Sequence, residues 1–184
     1  MHSYNVITFG NFLSTECTEI TLRSFRDFYD EVTPKHKKKL NLVIIEDPDH
    51  FMDINRQTKD LGIQHVTHVI SRFDLKSIEI EMGNASIFVF NDSTKTYKII
   101  PQILSYSLPI VCIDQFNKIE NLDHTCGIIV KYRSKESTTI DITEVVKMLY
   151  FDREALKVLR KGAKAKYRKE FSWGGTSSSE KVKV

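Results

Sequence analysis

Six short apolar runs constrain the fold of this chain more than any other feature, because polar residues hardly interrupt them. The runs lie at residues 5–10, 41–47, 66–71, 85–91, 110–114 and 127–132. Strands that are apolar on both sides are typical of parallel sheets covered by helices on each face. Segments with helical spacing separate the runs, at residues 18–32, 51–61, 75–82, 99–107, 140–150 and 153–171. The alternation predicts an α/β fold: a doubly wound, Rossmann-like parallel six-stranded sheet with helices on both faces.

Local signals mark where some of these segments begin and end. Asp74 is placed to cap the helix at 75–82, and Gly83 to close it. Gly62 is placed to close the helix at 51–61. Residues 32–40, VTPKHKKKL, predict a basic loop.

The length of 184 residues suits one domain, expected over residues 1–173, followed by a flexible polar tail at 174–184. No run of about 18 apolar residues appears, so no membrane span is expected. The first residues lack the features of a signal peptide. Three cysteines, an odd number without paired spacing, favour a reducing, cytoplasmic compartment.

Positive charge is concentrated in two places, although the net charge is only +3. One basic cluster covers residues 35–39 and the other covers 153–169. The second can be the solvated outer face of a helix, or it can attract an anionic membrane surface or an acidic partner. A nucleic-acid-binding domain is a third interpretation, but no aromatic-interleaved RNA motif accompanies the clusters, so no nucleic acid is expected.

The order of the segments resembles a known family along nearly the whole chain. The pieces that carry the resemblance are VITFGNFLSTE, NLVIIED, DLGIQHVTHVISRFDLKSI, NASIFVFNDSTKTYKIIPQILSYSLPIVCID, TCGIIVK and REALKVLRKGAKAKYRKEFSW. Together they resemble the C-terminal, nucleotide-sugar-binding domain of retaining GT-B glycosyltransferases of the group 1, family 4-like type. The resemblance implies one half of a GT-B fold, with the donor bound beyond the carboxyl ends of the strands.

Several donor-site positions depart from the pattern that the resemblance implies. A basic residue and a lysine are expected soon after Gly10, but Asn11 and Glu16 stand there. Two glutamates, one for the transferred sugar and one for the ribose, are replaced by Thr94 and Gln102. A carboxylate repels a diphosphate where a cation would stabilise it. The resemblance therefore implies a degenerate donor site.

Other residues could still contact a nucleotide. Thr94, Lys95 and Thr96 precede a helix whose free backbone N–H groups could hold a phosphate, or they form a capped helix start with a solvated loop. Gln102 could bond a ribose hydroxyl, or it is a surface glutamine. Arg72 and Phe73 follow the third strand, where they could contact a phosphate and stack on the base; alternatively they are a solvated arginine and a core phenylalanine.

These observations predict a glycosyltransferase-like domain that binds a nucleotide diphospho-sugar and is incomplete or impaired as a catalyst alone. The resemblance implies that an N-terminal acceptor half or a partner protein is needed. No spaced set of metal ligands appears, so no metal and no cofactor is expected. The alternative is a non-catalytic, glycosyltransferase-like partner or scaffold of a glycosylation or glycoprotein export complex. The expected location is cytoplasmic, with possible attachment at the inner face of the membrane.

Overall fold

A computed structural model describes residues 3–10, 14–91, 99–115 and 122–172. The predicted tail at 174–184 lies outside this range. Six strands form one sheet: β1 (Tyr4–Phe9), β2 (Leu40–Glu46), β3 (Thr67–Ser71), β4 (Ile87–Asn91), β5 (Ile110–Asp114) and β6 (Gly127–Lys131). Every pairing is parallel, and the strand order is β3-β2-β1-β4-β5-β6. The predicted doubly wound α/β sheet is confirmed.

Seven α-helices lie in the described residues. They are α1 (Thr15–Glu31), α2 (Pro34–Lys37), α3 (Phe51–Asp60), α4 (Leu75–Asn84), α5 (Ile100–Ser105), α6 (Lys135–Phe151) and α7 (Arg153–Glu170). Asp74 accepts a hydrogen bond from the Ser77 N–H and caps α4 as predicted. Gly62, just beyond α3, has a φ of 71°, a left-handed conformation that glycine adopts without strain.

Some predicted boundaries are wrong, and α1 already begins three residues before the predicted residue 18. The segment at 32–40 is not all loop, because Pro34 begins the short helix α2 and suits its first turn. Gly83 does not close α4, which continues to Asn84. Helix α6 begins at Lys135 rather than near residue 140. Its first turn is fixed by a capping box between Ser134 and Ser137.

Two hydrophobic layers cover the sheet. On one face α1, α3 and α6 pack on the sheet, and on the other face α4 and α5 do so. Helix α7 belongs to both layers, because Leu156 and Leu159 join the first layer and Ala163 joins the second. The helix crosses from one face to the other along the amino edge of the sheet, where Arg160 donates to the Ala85 carbonyl.

Two close contacts fix the helices that frame the sheet. Between α1 and α6, the buried Ser24 hydroxyl donates to the Thr139 carbonyl at 3.0 Å. Gly162 of α7 lies so close to Thr125 that an added Cβ would overlap the Thr125 carbonyl oxygen. Beside that contact, Lys166 pairs with the Asp123 carboxylate at 3.0 Å.

Candidate donor crevice

The strand order defines one crevice at the carboxyl edge of the sheet. The connection after β1 runs through α1 on one face, and the connection after β4 runs through α5 on the other. In open α/β sheets, ligands bind where the connections diverge in this way. Four predicted site residues, Asn11, Thr94, Lys95 and Thr96, lie outside the described residues. Gly10, Glu16, Arg72, Phe73 and Gln102 are described.

Glu16 lies in the first turn of α1 and is exposed. Its carboxylate accepts a hydrogen bond from the Tyr132 hydroxyl at 2.7 Å, and the Gln115 side-chain nitrogen lies 3.5 Å from it. Tyr132 follows β6 and Gln115 follows β5. The hydrogen bond to Glu16 raises the pKa of Tyr132, because the neutral phenol is the donor. These contacts hold a negative charge close to the amino end of α1.

Gly10 lies against a second carboxylate, that of Glu46 at the end of β2. A Cβ on Gly10 would overlap the Glu46 carboxylate, so only glycine fits here without a shift. Glu46 is fully buried and accepts a hydrogen bond from the Asp47 N–H at 2.8 Å. Sequence reasoning missed Glu46. Its signal was an acid at the carboxyl end of an otherwise unbroken apolar strand.

Arg72 and Phe73 form a pair at the end of β3. The Arg72 N–H donates to the Glu46 carbonyl at 2.8 Å, and its guanidinium donates to Asp47 at 2.7 Å. The same guanidinium lies 4.4 Å from the centroid of the Phe73 ring. Phe73 is 64% exposed, so it is not a core residue.

The Arg72 contact also affects Asp47. Burial alone would raise the pKa of Asp47, but hydrogen bonds from the Asp49 N–H and from Arg72 outweigh it and hold the pKa below its ordinary value. Arg72 thus has an ionised partner at neutral pH, which reduces the charge it can offer to a phosphate.

Gln102 is exposed on α5, on the opposite side of the crevice from α1. Its backbone carbonyl accepts the Ser105 hydroxyl at 2.6 Å. Within the described ranges, no group of three or more His, Cys, Asp or Glu side chains is arranged to hold a metal ion. No helix in those ranges is long and apolar enough to cross a membrane.

The sequence matches no protein-family profile. It also matches no curated protein. Solved structures do match its fold. The pneumococcal O-GlcNAc transferase GtfA, in complex with UDP and GlcNAc, has a TM-score of 0.72 at 12% identity over 90% of this chain and 32% of GtfA. WaaG, a glycosyltransferase involved in lipopolysaccharide biosynthesis, has a TM-score of 0.72 at 12% identity over 92% of this chain and 44% of WaaG.

A third match is to a single domain rather than to a whole enzyme. The C-terminal domain of a glycosyl transferase group 1 family protein, LpcC from Francisella tularensis, has a TM-score of 0.67 at 13% identity. That match covers 91% of this chain and 86% of the domain. By contrast, this chain spans less than half of the length of GtfA and of WaaG. Its fold is that of the C-terminal half of a GT-B glycosyltransferase.

Proposed function

We propose that this chain is the donor half of a glycosyltransferase-like protein, and that it binds a nucleotide diphospho-sugar weakly in the crevice beyond β1 and β4. One observation carries the proposal: the crevice lies at the point where the connections diverge, with the amino end of the 17-residue helix α1 at its rim. Backbone N–H groups at a helix start attract anions. The matched GtfA structure holds UDP, and its fold is the one this chain shares.

The exposed Arg72–Phe73 pair supports recognition of the nucleoside end. An exposed aromatic ring can stack on a base, and its neighbouring guanidinium keeps the ring in place. Stacking of this kind contributes about 1 kcal/mol beyond the buried area. Loss of the Phe73 ring should then weaken nucleotide binding without unfolding the domain.

The carboxylates of Glu16 and Glu46 support weak affinity for the diphosphate. Two unit charges about 4 Å apart interact by about 1 kcal/mol in water and by more near a protein surface. Glu16 is exposed, so the lower end of that range applies to it. Transfer would also need an acceptor half, in the same polypeptide or in a partner. We place the protein in the cytoplasm as part of this proposal.

A second function, a non-catalytic scaffold, is favoured by the same two acids. Glu16 is tied to Tyr132, and Glu46 fills the space beside Gly10. The exposed Glu16 then offers a carboxylate to a partner protein at the rim of the crevice, while the buried Glu46 closes the space beneath it.

A titration with nucleotides separates the two functions. Melting temperature would be followed while uridine, guanosine and adenosine diphosphates and their sugars are added at low salt. The donor function predicts a saturable rise in melting temperature for one nucleotide, and a smaller rise in Phe73→Ala. In Glu16→Gln the affinity for that nucleotide should be about two- to five-fold higher, because an exposed charge contributes about 0.5–1 kcal/mol.

Glu144→Gln is the matched control, because Glu144 is an exposed acid on α6 whose side chain is 61% accessible. It should behave as the wild type. The absence of a shift with any nucleotide, in the wild type and in Glu16→Gln alike, would exclude the donor function and leave the scaffold.

A further inference from the structure

The fold brings the two basic clusters of the sequence together at the amino edge of the sheet, opposite the donor crevice. Helix α2 immediately precedes β2, and the Lys39 carbonyl accepts the Tyr4 N–H at 2.7 Å. His36 hydrogen-bonds the Tyr150 hydroxyl. The Arg153 guanidinium at the start of α7 lies 4.7 Å from the Tyr150 ring centroid. Tyr4 and Tyr150 thus join the clusters, which are more than a hundred residues apart in the chain.

A groove of about 790 Å³ lies at this edge. Helix α7 forms one wall and the end of α4 forms the other, while residues near the starts of β1, β2 and β3 and the two residues before β4 form the floor. The groove is much larger than the small cleft at Gly10 and Ser14 beside the donor crevice. Its volume falls within the usual range of small-ligand sites, about 300–1,000 Å³.

Three cations line the α7 wall: Arg153, Lys157 and Arg160. Their spacing places them on one side of the helix. Glu81 is the one carboxylate among the groove's lining residues in the described chain. Lys157 lies 3.6 Å from Glu154, and both side chains are well exposed, so that pair neutralises little.

Arg153 and Arg160 form no ion pair with any carboxylate of the described residues. Arg160 is half-buried and donates to the Ala85 carbonyl. Burial lowers the pKa of Arg160, because its charged form loses hydration. A bound anion would replace part of that lost hydration.

The floor carries amide and hydroxyl groups beside the apolar Val43. The Asn41 amide donates to the Asn5 side-chain oxygen at 3.0 Å, and the Asn5 amide lies 3.3 Å from the Asn84 carbonyl. The Ser86 hydroxyl accepts the Asn5 N–H at 3.3 Å. Groups of this kind can exchange hydrogen bonds with ligand hydroxyls. The cations of the α7 wall can bind a phosphate group, and the polar groups of the floor can bind the hydroxyl groups of the same ligand.

We propose that this groove is a second ligand site, separate from the donor crevice, and that it binds a small hydroxylated phosphate ester such as a sugar phosphate. The concave shape favours a ligand that enters the groove over a flat charged surface. The phosphate lies against Arg153, Lys157 and Arg160, and the hydroxyls face Asn5 and Asn41.

The test is a calorimetric titration with glucose 6-phosphate, glucose and inorganic phosphate. Lys157→Gln is the main variant, since Lys157 is exposed and its loss should leave the fold intact. Lys161→Gln is the matched control, an exposed lysine of the same helix outside the groove lining. Loss of one charge-assisted contact is expected to weaken binding about five- to ten-fold. We expect glucose 6-phosphate to bind more tightly than phosphate, glucose not to bind, Lys157→Gln to weaken binding, and Lys161→Gln to leave it unchanged.

Three outcomes would overturn the proposal. The first is that glucose 6-phosphate does not bind. The second is that Lys157→Gln and Lys161→Gln lose the same amount of affinity for it. The third is that, in a parallel assay, the protein binds only to vesicles that contain anionic lipid. Repeating the glucose 6-phosphate titration in the presence of saturating uridine diphosphate tests whether the groove is separate from the donor crevice. The two sites are distinct only if the nucleotide leaves the affinity for glucose 6-phosphate unchanged.

Discussion

Replacing Gly162 by alanine tests how α7 is docked on the rest of the domain. A Cβ at this position would overlap the backbone carbonyl of Thr125. A backbone group cannot turn aside as a flexible side chain can, so either α7 or the segment before β6 must move. Such a shift would disturb the burial of Leu159 and Ala163, which are 8% and 0% exposed.

Gly83 provides a matched control in a second helix. It lies inside α4, and a Cβ there would have no atom within 4 Å. Alanine is favoured over glycine in a helix by up to about 1 kcal/mol, which makes Gly83→Ala stabilising. The same gain applies to Gly162→Ala, but overpacking costs typically about 1–3 kcal/mol, at the upper end against backbone. The net loss expected for Gly162→Ala is about 2 kcal/mol.

Thermal unfolding of the two variants measures both effects. In a domain of this size, 1 kcal/mol corresponds to about 2–4 °C in melting temperature. Gly162→Ala should melt about 4–8 °C below the wild type, and Gly83→Ala up to about 4 °C above it. If both substitutions raised the melting temperature, the docking of α7 against Thr125 would be refuted.

Three further predictions concern individual side-chain contacts. Asp123→Asn should destabilise the domain most at neutral pH. The Thr125 hydroxyl and then Lys166 lower the pKa of Asp123, so its contribution is complete at neutral pH and declines gradually as pH falls from about 4 toward the lowered pKa of the folded state. Urea unfolding should therefore show a wild-type advantage over Asp123→Asn that is smaller at pH 3 than at pH 7, and an advantage that does not change between the two would contradict this. Ser24→Leu should lower the free energy of unfolding, measured with urea, by about 2–3 kcal/mol. The buried Ser24 hydroxyl bonds the Thr139 carbonyl, and the contact leaves no room for a larger side chain between α1 and α6. A loss under about 0.5 kcal/mol would contradict this packing. Tyr4→Phe should lower the melting temperature by about 2–4 °C, since it removes the buried hydrogen bond from the Tyr4 hydroxyl to the Val146 carbonyl of α6. An unchanged melting temperature would show that this hydrogen bond contributes nothing.

The sheet was predictable because polar residues hardly interrupt most of its strands, a pattern that burial on both faces favours. The wrong boundaries lie where local composition hides the helical period. The first turns of α6 read Lys-Glu-Ser-Thr-Thr, with no apolar residue to show a face. Gly83 resembles a helix terminator in sequence, but its position is open and its φ is not left-handed, so the helix continues past it.

The site was only partly predictable, because its contacts join residues far apart in the chain. The sequence pointed to Gly10, Glu16 and Arg72, but not to the groups that hold them. Glu46 meets Gly10, and Tyr132 meets Glu16, only because strand order brings the carboxyl ends of β1, β2 and β6 to one edge. The sequence likewise did not show that the two basic clusters meet, because only the tertiary contacts of His36 and Arg153 with Tyr150 bring them to one edge.

The most direct test of the account is a map of amide chemical shifts during titration with uridine diphosphate. Weak donor binding predicts concentration-dependent shifts at Gly10, Glu16 and Phe73, all at the carboxyl edge of the sheet. Shifts confined to α7 between Arg153 and Arg160, or no shifts at millimolar nucleotide, would contradict the assignment of the crevice beyond β1 and β4 as a nucleotide site.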